Sequence, residues 1–287
     1  MEFPQIQNAI DRFNLQVQSI EQVPESNSAI VRILTLNNQQ KAILKIHWSA
    51  KKAKRERQAL LELKHLPHIP NLLDSFIEAN GHALLIEYLD GVPISHPKNL
   101  TPTMAYQIGE MMAGIHGVKR PDFWGQPSWK AFLELKVKEY IANCQPDTSL
   151  TNLDKAKTAF YQLLPQVGQY ESACLTHFDL RLGNILAKNG KVVGIIDFES
   201  SRGGSGDMDF YKLWREVWLS YPSLKSAMTA GYESIRPIQV DLDKVLPLYA
   251  IYNNLGGLAW CVIRGQVGSD FYQMNVVSLE KAIEHVG

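Results

Sequence analysis

The sequence predicts an α+β chain of two unequal lobes: a small β-rich lobe with one helix over residues 1–89, then a larger, mainly helical lobe over 90–287. Three observations carry this. The N-terminal third alternates apolar and polar residues with a two-residue period, interrupted by one helical pattern. Asp90-Gly91-Val92-Pro93 breaks that pattern sharply. Beyond the break the apolar spacing turns mainly helical. A chain of 287 residues is long enough for two such bodies.

Within the first lobe, Ala29–Leu36 and Lys41–Trp48 alternate on either side of the turn signal Asn37-Asn38 and read as a hairpin. Ser49–Leu66, rich in Lys, Arg, Glu, Ala and Leu, reads as a helix with Ser49 as candidate cap; Pro67 and Pro70 end it. Leu72–Glu78 and His82–Leu89 read as two more strands. In the second lobe Thr103–Val118, Trp129–Ala142 and Leu153–Leu164 carry helical spacing. Cys174–Arg202 reads as short apolar strands and turns, and helices resume from Asp209.

Composition narrows the function. Lys plus Arg and Asp plus Glu each number 29, so the net charge is zero; nucleic-acid or anionic-membrane partners would call for a basic excess. Cys144, Cys174 and Cys261 are widely spaced and form no Cys-x-x-Cys pair, so buried free thiols in a reducing compartment are expected. The first residues lack a basic region followed by an apolar stretch, and a cytoplasmic protein is expected. The uncharged run between Lys244 and Arg264 has the length of a membrane span, but Asn253, Asn254, Gly256 and Gly257 favour a buried helix.

Most of the chemical information lies in Leu175–Ser201, LTHFDLRLGNILAKNGKVVGIIDFESS. His177-Phe178-Asp179 ends in an acid, Asn184 follows five residues later, and the apolar strand Val192–Ile196 delivers Asp197, then Phe198 and Glu199. Phosphoryl transfer needs this set: a carboxylate to meet the incoming hydroxyl, and hard oxygen ligands for a divalent metal that neutralises phosphate charge. Asp179 fits the first role; Asn184 and Asp197 fit the second, with Glu199 as a further ligand.

H-x-D-x-x-x-x-N followed by a strand ending in I-D-F resembles the catalytic and metal-binding loops of the protein-kinase-like superfamily. LGNIL and IIDFE are similar to the aminoglycoside phosphotransferase and choline kinase-like branch, which includes fructosamine and methylthioribose kinases. The resemblance implies a bilobal protein-kinase-like fold, Mg²⁺, ATP or GTP as phosphate donor, and a small hydroxylated acceptor. It also implies a small-lobe lysine on the phosphates and a glutamate to hold it. Lys45, between apolar neighbours in AILKIHW, fits the first; Glu56 fits the second, because Ala59, Leu60 and Leu63 place it on the inward helix face. Glu87 and Leu89 would offer backbone groups to the base, and Ser26 and Asn27 occupy the place of the phosphate loop, where an ordinary turn is the alternative. His177 would brace its loop. Asp209 would brace the catalytic-loop backbone or, like Asp207, cap its own helix. Arg181 is open between a phosphoryl contact and a surface ion pair. Trp214, Trp218 and Tyr221 form a stripe at helical spacing that reads as core or as an acceptor-stacking face. A catalytically silent nucleotide-binding module is the alternative function.

Overall fold

A computed structural model describes residues 4–23, 29–79, 81–284 and 286. Ser26 and Asn27 lie outside the described residues. Helix α1 (Pro4–Arg12) precedes strands β1 (Val17–Gln22), β2 (Ala29–Leu36) and β3 (Lys41–His47). Helix α2 (Ala50–Leu63) and strands β4 (Leu72–Glu78) and β5 (Gly81–Glu87) follow. The strands form one antiparallel sheet in the order β1-β2-β3-β5-β4.

Strand alternation divides this sheet into two faces. Ala42, Leu44, Ile46, Ala83 and Leu85 pack with Ile6, Ala9 and Ile10 of α1. Leu84 and Ile86 face the other way, into the core shared with Ala59, Leu60 and Leu63 of α2 and with the second lobe. Lys45 and His47, two residues apart on β3, therefore look toward α2. The expectation of a single small-lobe helix is corrected: α1 is a second one, short but amphipathic, and it covers the face that α2 leaves open. Ser49 stands at the N-cap of α2 in an extended conformation, yet its side chain makes no capping bond.

Past Glu87 the chain continues through β6 (Val92–Pro93), α3 (Pro102–His116), β7 (Lys119–Arg120), α4 (Trp129–Cys144) and α5 (Leu153–Leu163). It then forms β8 (Ala173–Thr176), β9 (Ile185–Lys188), β10 (Lys191–Ile195) and β11 (Arg202–Gly204), and ends in α6 (Phe210–Leu213), α7 (Pro222–Glu233), α8 (Leu242–Ile263) and α9 (Asp270–Glu284). Two small ladders, β10-β9-β6 and β11-β8-β7, flank the segment between β8 and β9. The uncharged run is α8, long and apolar enough to cross a membrane, but two thirds of its most apolar window is buried inside the lobe. The three cysteines are free and buried.

The expected aromatic stripe does not survive. Trp214–Trp218 is a π-helical turn, so the four-residue spacing no longer stacks side chains on one face. Trp218 is core, and Trp214 and Tyr221 pack partly buried against it.

Helices α3 and α7 meet through glycines. A Cβ on Gly109 would overlap the Met228 carbonyl oxygen, and one on Gly231 would overlap that of Tyr106. Alanine is the better helix former by about 1 kcal/mol, but a backbone atom cannot swing aside as a side chain can. Gly109→Ala is expected to destabilise the protein by about 1–3 kcal/mol net, read as a lowered Tm; an unchanged or raised Tm would show that the helices part freely.

Candidate active site

The segment between β8 and β9 is held rigid by its own polar groups. Asp209, 3% exposed, accepts hydrogen bonds from the backbone N–H of His177 at 2.7 Å and of Phe178 at 2.8 Å. His116 Nε2, 3.0 Å from the same carboxylate, donates to it, and the His116 Nδ1 accepts from the Tyr232 hydroxyl at 3.0 Å. Asp209 is thus the loop brace; neither it nor Asp207 caps the helix that follows. Asp207 instead accepts from the Tyr249 hydroxyl at 2.5 Å, and burial pushes its carboxyl up.

His177 braces the loop from within. Its Nδ1 accepts from the Asp179 N–H at 3.2 Å, which assigns the proton to Nε2, 3.0 Å from the Ile196 carbonyl. Phe178 sits at φ 65°, a conformation rare for a bulky residue. Asn184 closes the loop by donating from Nδ2 to the Asp179 carbonyl at 2.8 Å. The Ile196 N–H donates to the Asn184 carbonyl at 3.0 Å, which sets Asp197 beside Asn184 at the end of β10.

Asp197 adopts the left-handed conformation, φ 71° and ψ 62°, and turns its carboxylate toward the small lobe. There it meets Lys45 Nζ at 2.6 Å. Lys45, 6% exposed, also pairs with Glu56 at 2.7 Å and lies 3.5 Å from Glu199. Burial alone would lower its pKa, but Glu56, Asp197 and Glu199 together raise it above the ordinary lysine value. Burial, the largest influence, pushes Glu56 and Asp197 up, yet the Lys45 ammonium together with His47, and for Asp197 also His177, holds both below the usual carboxylate range.

Four residues of this neighbourhood were not singled out from the sequence. His47, on the same strand face as Lys45, lies 2.9 Å from Glu56 and 3.6 Å from Glu199. Lys52, one turn before Glu56 on α2, pairs with Glu199 at 2.7 Å. Lys212, one turn after Asp209, contacts the Asp179 carboxylate, which Arg181 approaches from the other side at 3.9 Å. Glu216 accepts from the Leu182 N–H at 3.0 Å. For His47, Lys52 and Lys212 the signal was present as a two-residue strand period or a three- to four-residue helix period from a residue already chosen; Glu216, in the π turn, had none.

Glu199 turns its oxygens to Lys52, Lys45 and His47 and so joins the lysine cluster that also holds Asp197. His47, Glu56 and Glu199 offer ligand atoms within 4.8 Å of one another, but the Lys45 ammonium already sits on the same Glu56 oxygen and repels a cation there. Asn184 Oδ1 and Asp197 Oδ2 make no hydrogen bond among the described residues. These hard oxygens, beside a cluster of two ammoniums against three carboxylates, fit Mg²⁺. Glu87 closes the sheet edge: its carboxylate accepts from the Asn71 N–H at 3.0 Å and side-chain amide at 2.7 Å. Leu89 follows, its carbonyl bonded to the Gly91 N–H at 2.9 Å.

The chain belongs to the phosphotransferase enzyme family, whose pattern it matches over residues 19–238. It is similar to a homoserine kinase from a Chelativorans species, with 27% identity over 187 residues; the match spans 60% of this chain and about half, 54%, of that relative. Among solved structures it resembles aminoglycoside phosphotransferase APH(4)-Ia, with a TM-score of 0.75 over 99% of this chain and 98% of the other at 15% identity. It also resembles macrolide 2'-phosphotransferase MphH from Brachybacterium faecium, with a TM-score of 0.74 over 96% of each chain at 12% identity. At these identities the structural likeness establishes the bilobal kinase-like fold.

Replacing Lys45 by Met should cost about 3–5 kcal/mol at neutral pH, because it strands buried carboxylates. In the wild type the depressed Glu56 and Asp197 give stability above their ordinary values that is lost as pH falls through the folded ones. In Lys45→Met burial dominates and raises both, so the variant gains relative stability on protonation. The gap between the two proteins, measured by denaturant unfolding, should therefore narrow as pH falls below the ordinary glutamate value of 4.5; a gap independent of pH would contradict the assignment.

Proposed function

We propose that the protein is a Mg²⁺-dependent small-molecule kinase that transfers the γ-phosphoryl group of ATP to an acceptor hydroxyl. The observation that carries this is the convergence, from separate chain segments, of Asp179, Asn184 and Asp197 with the buried Lys45–Glu56 pair. The constellation is complete, so nothing in it favours a silent interaction module.

Asp179 orients the acceptor hydroxyl and takes its proton as the new oxygen–phosphorus bond forms and the bond to the β-phosphate oxygen breaks, releasing ADP. Lys45, held by Glu56, lies against the phosphates. Asn184 and Asp197 would hold Mg²⁺, which neutralises phosphate charge when bound. Leu89 and the backbone of Glu87 would face the base. Lys212 fixes the Asp179 carboxylate before the acceptor arrives. ATP is favoured over GTP because a solved relative of this fold, the APH(4)-Ia phosphotransferase, is described in ternary complexes with ADP or AMP-PNP and hygromycin B. The buried free thiols support a reducing, cytoplasmic setting.

The test is Mg²⁺-dependent ADP release across a panel of hydroxylated acceptors. Asp179→Asn is expected to lower kcat by about 10²- to 10⁴-fold while Mg-AMP-PNP binding persists. Full activity in that variant would remove Asp179 from the chemistry.

A further inference from the structure

Next to the catalytic loop lies a cationic cluster that the mechanism leaves unused. The Arg202 guanidinium, at the start of β11, sits between two aromatic rings, 4.3 Å from the Trp124 centroid and 4.2 Å from that of Phe178. Its Nε donates to the Ser200 carbonyl at 3.1 Å. Arg55 of α2 stacks on the same indole at 4.4 Å, and Lys51, one turn earlier, stands 5.4 Å from it. Neither arginine has an ion-pair partner among the described residues. The groups facing Arg202 are the phenols of Tyr140 on α4 and Tyr252 on α8, whose oxygens are 3.4 Å apart. The carboxylate nearest in influence on Arg55 is Glu199, already bonded to Lys52. Burial lowers Arg202, and burial followed by the Arg202 charge pushes Arg55 down to about 10.

Like charges held this close, both partly exposed, favour an anion that joins them. The backbone is shaped to keep them so. Both rings around Arg202 belong to residues in the left-handed region, Trp124 at φ 60° and Phe178 at φ 65°, where bulky side chains are rare. Gly203 makes the approach possible, since a Cβ there would overlap the Asp122 carbonyl oxygen and push the Trp124 loop off β11. Phe178 is the residue before Asp179, so the guanidinium stacks on the segment that carries the proposed catalytic carboxylate.

We propose that Arg202, flanked by Arg55, binds a carboxylate on the acceptor molecule whose hydroxyl meets Asp179. The acceptors are then small hydroxylated carboxylic acids, amino acids included, and not polycationic sugars. A planar guanidinium held by stacking offers paired N–H donors that match a carboxylate, and the two tyrosine hydroxyls add further donors. This inference deepens the kinase reading and rests on it.

The test uses calorimetry on the whole protein with saturating Mg-AMP-PNP, and ADP release with Mg-ATP. Its probes are matched pairs: L-homoserine with 3-aminopropan-1-ol, L-serine with ethanolamine, and glycerate with ethylene glycol. At least one acid should bind and accept phosphate at least about tenfold better than its partner lacking the carboxylate. Arg202→Met should raise KM for that acid about 10- to 100-fold and abolish the preference, with KM for ATP unchanged; Arg202→Lys should recover part of it. Binding of no acid, preference for the carboxylate-free partners, or an unchanged preference in Arg202→Met overturns the inference and leaves the kinase reading standing if Mg-AMP-PNP still binds. Failure to bind Mg-AMP-PNP sinks the kinase reading, and this inference with it.

Discussion

One buried ammonium ties the molecule together. Lys45 comes from the central small-lobe strand β3, Glu56 from α2, and Asp197 and Glu199 from the chain just after β10 in the large lobe. Desolvating a lysine is costly, so the group is stable only when the carboxylates converge on it. The lobes therefore cannot separate, and α2 cannot rotate, without exposing a charge to a poor environment. The interaction that would position phosphates is also the one that sets the relation between the lobes.

A second anchor, Asp209, does for the catalytic loop what Lys45 does for the lobes. Its carboxylate spends itself on two consecutive backbone N–H groups and on His116, whose ring is fixed in turn by Tyr232. The reach extends through helix packing, because Tyr232 lies on α7 and α7 rests on α3 through Gly109 and Gly231. Loop geometry at Asp179 thus depends on a close helix crossing that touches no reacting atom. Within the loop, His177 and Asn184 bond to backbone flanking Asp179, and its carboxylate meets Lys212, Arg181 and, at 3.4 Å, the Asn184 Nδ2.

The parts of the site that were legible in the sequence are those whose chemistry is contiguous. Asp179 and Asn184 share one loop, Asp197 ends the next hairpin, and Lys45 and Glu56 sit on adjacent elements with a clear strand and helix period. The shift from strands to a mainly helical chain was legible because the period changes after Asp90–Pro93. Helix α1 was not, because nine residues give too few repeats to distinguish a covering helix from a tail. Glu199, an acid two residues after Asp197, reads as a further ligand in the sequence, whereas its contacts with Lys52 and Lys45 are set by turn geometry. Trp214, Trp218 and Tyr221 were readable as core, which they are, but the π turn that changes their register is announced by nothing in the residue types. Arg202 and Arg55 were invisible because 146 residues of intervening chain separate groups that the fold places on one indole.

That last separation bears on what a net charge of zero means. The chain balances its charges overall while sorting them locally. On the metal side, carboxylates exceed ammoniums around Lys45, Lys52, Glu56, Asp197 and Glu199. Around Asp179 and Phe178 the excess is reversed, with Lys212, Arg181, Arg202 and Arg55 close by. A field arranged in this way favours a divalent cation on one flank and phosphoryl or carboxylate oxygens on the other, and it does so before any ligand arrives. Composition averages such a pattern away. It emerges only when the strand face of β3, the buried face of α2 and the Trp124 loop are brought into contact, which is why the acceptor's charge has to be argued from the folded molecule and the phosphoryl chemistry does not.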